Sequence, residues 1–299
     1  MDYQELLKQT AIADDRMVVM TAENRALVRQ LPPILGKRFI DTGITEQAMI
    51  GMAAGLALRG RIPVCHALTT FLTLRAFEFI RTDVGIPGLP VKLSGFIPGF
   101  LSDANGPTHQ ALEDVSLMRG IPNMEVYCPA DEDDMVRMLP YIWSSDKPAY
   151  LRVNTQKSGY LHSEFIPGKA EIVFAPGSDA TILVYGFLFK EALEAQKLLA
   201  AEGYQVGLVN IRSMKPIDEE AILQAAGCSK LIITLEDHFQ HGGLYSATCE
   251  TLVQYGTLAR VLPIALKDRW FKPALLNDVL EYEGFTGRQI AQKISTHLK

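Results

Sequence analysis

Two residues of this chain stand where side-chain chemistry has a physical reason to occur. Glu46 follows Gly43-Ile44-Thr45 and opens a helical pattern in which Met49, Ile50, Met52, Ala53 and Leu56 supply an apolar surface. A carboxyl group in such surroundings has its charged form disfavoured, so its pKa is expected to rise and it can share a proton with a ring nitrogen. The same pattern also suits a glutamate that merely caps the helix N-terminus, with Thr42 or Thr45 beside it. His109 lies in Gly106-Pro-Thr-His-Gln, a turn leading into a helix. There an imidazole can project into a cleft at a sheet edge and relay protons near neutral pH, or simply cap the following helix. His66 reads as structural, and His238 and His241, flanking a Gly-Gly turn, as non-catalytic. Cys65, Cys128, Cys228 and Cys249 are scattered without a Cys-x-x-Cys pair. They suggest neither a zinc site nor a disulfide framework, and no metal-ligating set is predicted in this chain.

These side chains need a scaffold, and the apolar pattern supplies one. Met17 to Met20, Ile62 to Ala67, Val91 to Leu93, Met124 to Cys128 and Ala149 to Val153 read as strands. Between them, helical patterns run over Glu46 to Leu58, Arg75 to Val84 and Asp131 to Ser144, the last opening with acidic residues suited to a helix N-terminus. β-α-β units and a parallel sheet covered on both faces follow. From Gln156 to Gly177 the pattern weakens into turn residues. Beyond it, Ala180 to Tyr185, Gln205 to Val209 and Lys230 to Thr234 alternate with helices over Lys190 to Glu202 and Asp218 to Ala226. The fold class is α/β with two domains, each a mostly parallel sheet covered by helices: residues 1–160, a linker at 161–177, and residues 178–299. With 48% hydrophobic and 21% charged residues over 299 positions, the chain can bury a large core. A net charge of −5 gives no basic footprint for nucleic acid or an anionic membrane. No apolar run reaches the ~18 residues of a membrane helix, and the first residues lack a signal-peptide core, so a cytoplasmic location is expected.

Three stretches, in order, resemble the carboxy-terminal half of transketolases, above all those whose halves are separate polypeptides. They are Asp41-Thr-Gly-Ile-Thr-Glu-Gln-Ala-Met-Ile-Gly-Met-Ala-Ala-Gly-Leu-Ala, Phe71-Leu-Thr-Leu-Arg-Ala-Phe-Glu-Phe-Ile-Arg81, and Gly106-Pro-Thr-His-Gln-Ala-Leu-Glu-Asp-Val-Ser-Leu-Met-Arg-Gly-Ile-Pro-Asn123. Lys215-Pro-Ile-Asp218 and Glu236-Asp-His-Phe-Gln-His-Gly-Gly243 are similar to pieces of the transketolase carboxy-terminal domain. The resemblance implies a pyrimidine-binding domain followed by that domain, and thiamine diphosphate as cofactor. It makes Glu46 the glutamate that activates the cofactor's pyrimidine, Phe71 the aromatic packed on that ring, and His109 a proton relay near the reacting carbonyl and the substrate hydroxyls. An aromatic face against a pyrimidine is worth on the order of 1 kcal/mol beyond its area.

The substrate side departs from the family. Where transketolases usually place a histidine on the strand before the His109 loop, Ser94-Gly-Phe-Ile-Pro-Gly-Phe100 puts Ile97 nearest that slot. An aspartate of Gly-Glu-Asp-Gly is replaced by Asn105 in Asp103-Ala-Asn-Gly106, which can still bond a substrate hydroxyl without the charge. Thr21-Ala-Glu-Asn-Arg25 places a guanidinium where the family often has a serine for the sugar phosphate, and Arg25 could grip an anion bidentately. Arg152 matches an arginine near the substrate phosphate; for either arginine a surface salt bridge is the plain alternative. Ketol transfer on a substrate other than the ordinary pentose phosphates, or with a rearranged anion contact, is expected. Nowhere does a Gly-Asp-Gly followed by an Asn offer a loop for Mg²⁺ and a diphosphate. The resemblance therefore implies an amino-terminal partner subunit that carries Mg²⁺, most simply in an α2β2 assembly. The β subunit of a 2-oxoacid dehydrogenase is a competing reading that His-Gln after Gly-Pro-Thr disfavours. A deoxyxylulose-phosphate synthase normally carries a third domain on the same chain. A non-catalytic binding or regulatory module that kept the fold is disfavoured by Glu46, Phe71 and His109.

Overall fold

The computed structural model describes residues 1–23, 25–270 and 272–299. Its strands are β1 (Met17–Thr21), β2 (Phe39–Asp41), β3 (Ile62–Leu68), β4 (Lys92–Phe96), β5 (Glu125–Tyr127), β6 (Ala149–Val153), β7 (Glu171–Phe174), β8 (Ala180–Val184), β9 (Val206–Asn210), β10 (Ser213–Lys215), β11 (Leu231–Phe239) and β12 (Val261–Leu266). They form two sheets, ordered β10-β5-β6-β4-β3-β1-β2 and β12-β11-β8-β9-β7. All pairings are parallel except those of β10 with β5 and β7 with β9. Strands β1, β4 and β6 are buried along their whole length, as parallel strands with helices on both faces must be.

The apolar runs and the helix Glu46–Leu58 fall where their patterns place them, and Asp131 caps the helix Glu132–Ser144 by accepting from the Asp134 N–H. Three features differ from expectation. Strand β7 lies inside the segment expected to be a linker, because an edge strand of four residues needs only one partner, β9. The helix expected over Arg75 to Val84 is instead a π-turn at Phe71–Arg75, a short α-turn at Phe77–Phe79 and a second π-turn at Ile80–Gly85. Wide turns of this kind often occur at functional sites. Strand β10, from the later part of the chain, adds an antiparallel edge to the first sheet.

Residues 154–170 cross between the sheets without a strand, and His162 anchors them. It is buried, with Nδ1 2.7 Å from Glu171 and Nε2 3.3 Å from Asp131. Arg212 lies 2.7 Å from Asp134 and 3.1 Å from Glu171 in the same cluster. Burial opposes a charge on His162, but the bonds to Asp131 and Glu171 override it and raise its pKa to about 9. The imidazolium therefore stabilises the fold fully below about pH 6.5, its unfolded value. That contribution fades as pH rises through about 9. Relative to a His162→Gln chain, the wild type should lose up to about 3 kcal/mol of unfolding free energy across this window. Urea titrations from pH 6 to 10 check it; parallel curves for the two chains would contradict it.

Candidate active site

A cavity of about 560 Å³ opens beyond the C-terminal ends of β1 and β3, walled in part by Arg25, Arg29, Asp41, Ile44, Glu46 and Phe71. Parallel strands place ligand clefts at this end of a sheet. Glu46 is the first residue of its helix and is buried. Thr45 does not cap that helix with its side chain; its hydroxyl donates to the Thr42 carbonyl at 2.8 Å. The Glu46 carboxylate instead accepts from Arg75, with Nη1 2.8 Å from Oε2. The π-turn brings Arg75 back over Phe71, its guanidinium carbon 4.3 Å from the ring centroid. One guanidinium thus fixes both the carboxylate and the aromatic ring.

Asp41 ties together the two loops at the cavity mouth. It accepts from the Glu23 N–H at 3.1 Å, the Gly43 N–H at 3.0 Å and Arg25 Nε at 2.7 Å. Burial works against its ionised form, yet the Gly43, Arg25 and Glu23 bonds together hold its carboxyl below the usual range. Glu23 has a φ of 70°, an uncommon backbone state for a side-chain-bearing residue and here part of a cavity wall. Arg25 is exposed and engages Asp41, while Arg29 lines the same cavity.

His109 meets Phe71 edge-on, with ring centroids 5.1 Å apart, and its backbone carbonyl accepts from the Thr70 hydroxyl at 2.7 Å. Its Nδ1 shares a 2.8 Å hydrogen bond with the Thr108 hydroxyl. Asn105 is exposed at the end of the turn Gly99–Asn105. Ile97, just past β4, has a φ of 47°, a genuine outlier for a β-branched residue. His66 is held inside the core between the Tyr3 hydroxyl, at 2.8 Å, and the Met20 carbonyl, at 3.0 Å. Burial lowers its pKa to about 4, so it is a neutral structural group.

Arg152 occupies a different place from the one its sequence context suggested. It is 2% exposed, on a strand covered on both sides, and its guanidinium bonds Asp237 at 2.6 and 3.2 Å and Asp114 at 2.9 Å. It sits in the junction between the domains rather than in the cavity wall. Arg75, Asp41 and Arg29 were not singled out from sequence. The four-residue spacing from Phe71 to Arg75 was the available signal. The group of described residues with a metal-ligand arrangement, Asp134, His162 and Glu171, lies away from the cavity and is filled by Arg212.

The family model for the transketolase pyrimidine-binding domain matches residues 2–159, and that for the transketolase C-terminal domain matches residues 168–290. The chain is 36% identical over 295 residues to the 6-deoxy-6-sulfo-D-fructose transketolase subunit SqwH of Clostridium sp. (strain MSTE9), covering 97% of this chain and 91% of that one. It is also 36% identical to a 1-deoxy-D-xylulose-5-phosphate synthase of Syntrophotalea carbinolica (strain DSM 2380 / NBRC 103641 / GraBd1), covering 95% of this chain but 46% of that protein. Among solved structures, a split-gene transketolase described as an inactive beta4 tetramer superposes with a TM-score of 0.87 and 31% identity, covering 99% of this chain and 96% of that one.

Proposed function

The chain belongs to the transketolase family, with its pyrimidine-binding and C-terminal domains in that order, and from that premise we infer that it is the carboxy-terminal subunit of a split, thiamine-diphosphate-dependent transketolase. It transfers a two-carbon ketol unit from a ketose donor to an aldose acceptor. The observation that carries this reading is the wall shared by Glu46 and Phe71, with His109 against the Phe71 edge. The cofactor, when bound, supplies the electron sink for breaking and making the carbon–carbon bond. Glu46 shares a proton with the pyrimidine nitrogen at Oε1, the oxygen opposite the one Arg75 bonds. Phe71 fixes the ring's orientation, and His109 Nε2 relays a proton to the substrate oxygens.

The diphosphate and its Mg²⁺ belong to an amino-terminal partner subunit in a cytoplasmic α2β2 assembly. Support comes from exposed apolar side chains on and around the helix Glu46–Leu58: Met52 and Leu58 on the helix, Ile44 in the loop before it and Leu74 in the π-turn that contacts it, the kind of surface a protein neighbour covers. Calorimetric titration of thiamine diphosphate with Mg²⁺ should show tight binding to the complex co-purified from the native host and at least tenfold weaker binding to this chain alone. Equal affinity for both would end the split-site reading.

On the substrate side, Arg25 and Arg29 offer two guanidinium groups at the cavity, and Asn105 and Ile97 stand where the family usually has an aspartate and a histidine for the sugar. An acidic sugar other than the ordinary pentose phosphates fits this wall. Normal efficiency with xylulose 5-phosphate and ribose 5-phosphate would defeat that assignment. A second reading, formation of a 1-deoxy sugar phosphate, is favoured by the equal identity to a 1-deoxy-D-xylulose-5-phosphate synthase. Release of 1-deoxy-D-xylulose 5-phosphate by the assembled enzyme, and no ketol transfer from ketose donors, would select it.

A further inference from the structure

We propose that the second domain is the clamp that sets the segment 97–112, and with it His109, against the cofactor cavity, with Arg152 and Asp237 as positioning residues. Glu46 and Phe71 stand on helical turns of the first domain. The segment carrying Asn105 and His109 is fastened instead to β11 and its surroundings. Arg152 of β6 reaches across the junction to Asp237 of β11 through paired bonds of 2.6 and 3.2 Å. Asp114, which accepts from Arg152 at 2.9 Å and from the Tyr150 hydroxyl at 2.5 Å, holds the guanidinium from the other side.

The segment's backbone rests directly on that ion pair. At Gly99 a Cβ would fall 1.7 Å from Asp237 Oδ2 and 2.9 Å from Arg152 Nη2, and φ is +57°, so glycine alone fits. The Gly99 N–H donates to the Ala111 carbonyl at 3.0 Å, which closes the segment into one unit. Its far end is stitched to the second domain by the Phe239 N–H donating to the Leu112 carbonyl at 2.9 Å and by the Ser116 N–H donating to His238 Nε2 at 3.3 Å. Phe100 packs edge-on against Phe187 and Phe285 of the second domain, with centroids 6.1 and 5.2 Å apart. Within the segment, His109 touches the first domain through Thr70 and Phe71. The cavity wall belongs to the first domain, whereas His109, packed on the Phe71 edge beside it, rides on a segment fastened to the second, so a shift of the second domain moves His109 relative to Phe71. This rests on the reading of His109 as a site residue.

Asp237→Asn keeps the shape of the side chain and removes its charge. In the purified chain, hydrogen–deuterium exchange in residues 97–112 should rise at least tenfold, with β1, β3, β8 and β9 unchanged. The His109 ring-proton resonance, displaced by the Phe71 ring current, should move toward that of free imidazole. Gly99→Ala, which leaves both charges in place and displaces the backbone, should give the same His109 shift and carries the test if Asp237→Asn does not fold. In the assembled enzyme, KM for the acceptor sugar should rise while cofactor affinity holds. Exchange rising evenly through both domains, or an unmoved His109 resonance in both variants, overturns the clamp. A fully active Glu46→Gln enzyme together with a loosened segment would sink the functional reading and leave the clamp standing.

Discussion

Exchanging Glu46 for Gln is expected to lower the turnover of the assembled enzyme by about 10²–10⁴-fold, the range for losing a positioned acid–base group. The substitution is nearly isosteric, and the amide oxygen can still accept from Arg75, 2.8 Å away in the wild type. Phe71 remains stacked under the same guanidinium. Cofactor affinity should therefore change far less than kcat. Steady-state kinetics with a ketose donor and an aldose acceptor, alongside a calorimetric Kd, separate the two quantities. Wild-type turnover by the variant would remove Glu46 from the proton path and leave it as a helix-terminal anchor for Arg75.

The second large effect concerns stability. Arg212 is buried against Asp134 and Glu171, and also donates to the Ser163 and Glu164 carbonyls at 2.9 and 3.1 Å. Burial opposes ionisation of Glu171, but bonds from His162, Ser163 and Asn210 with the Arg212 charge bring its pKa down to about 2. Arg212→Met would leave two buried carboxylates with His162 as their main counter-charge, at a cost of about 3–5 kcal/mol. Restoring neutrality with Asp134→Asn and Glu171→Gln should recover most of it, since the damage comes from uncompensated charge. Denaturant unfolding of the single and triple variants measures this. A triple variant as unstable as the single one would show that the backbone bonds of Arg212 matter more than its charge.

Where apolar runs are long and bounded by turns, the fold was legible: β1, β3, β6, β8 and the helix Glu46–Leu58 lie at their patterned positions. Strands β2, β7 and β10 span three or four residues and have no period to read; their partners decide them. The π-turns were illegible for a related reason, since the apolar spacing of an α-helix differs little from theirs over so short a stretch. At the site, the motif residues Glu46 and Phe71 and the loop arginine Arg25 do share one cavity wall. The family match assigns Arg152 to the substrate anion, yet its neighbours Ala149, Tyr150, Leu151 and Val153 form an unbroken strand run. In a parallel strand covered on both faces, a charge must be paired inside. That strand context was the warning.

Strand β10 has a bearing on how this molecule can be divided. Ser213 and Lys215 pair with Tyr127 and Val126, so a stretch of chain that follows β9 of the second sheet finishes the border of the first. The Cys128 N–H is bonded to the Arg212 carbonyl at 2.9 Å beside it. A cut in the crossing segment would strip that border and leave β5 with bare N–H and C=O groups, an invitation to pair with other chains. The two family domains are distinct as sheets but not as separable modules. Exchange of one domain between relatives, by recombination or by engineering, must carry residues 213–215 with the first sheet or rebuild its rim.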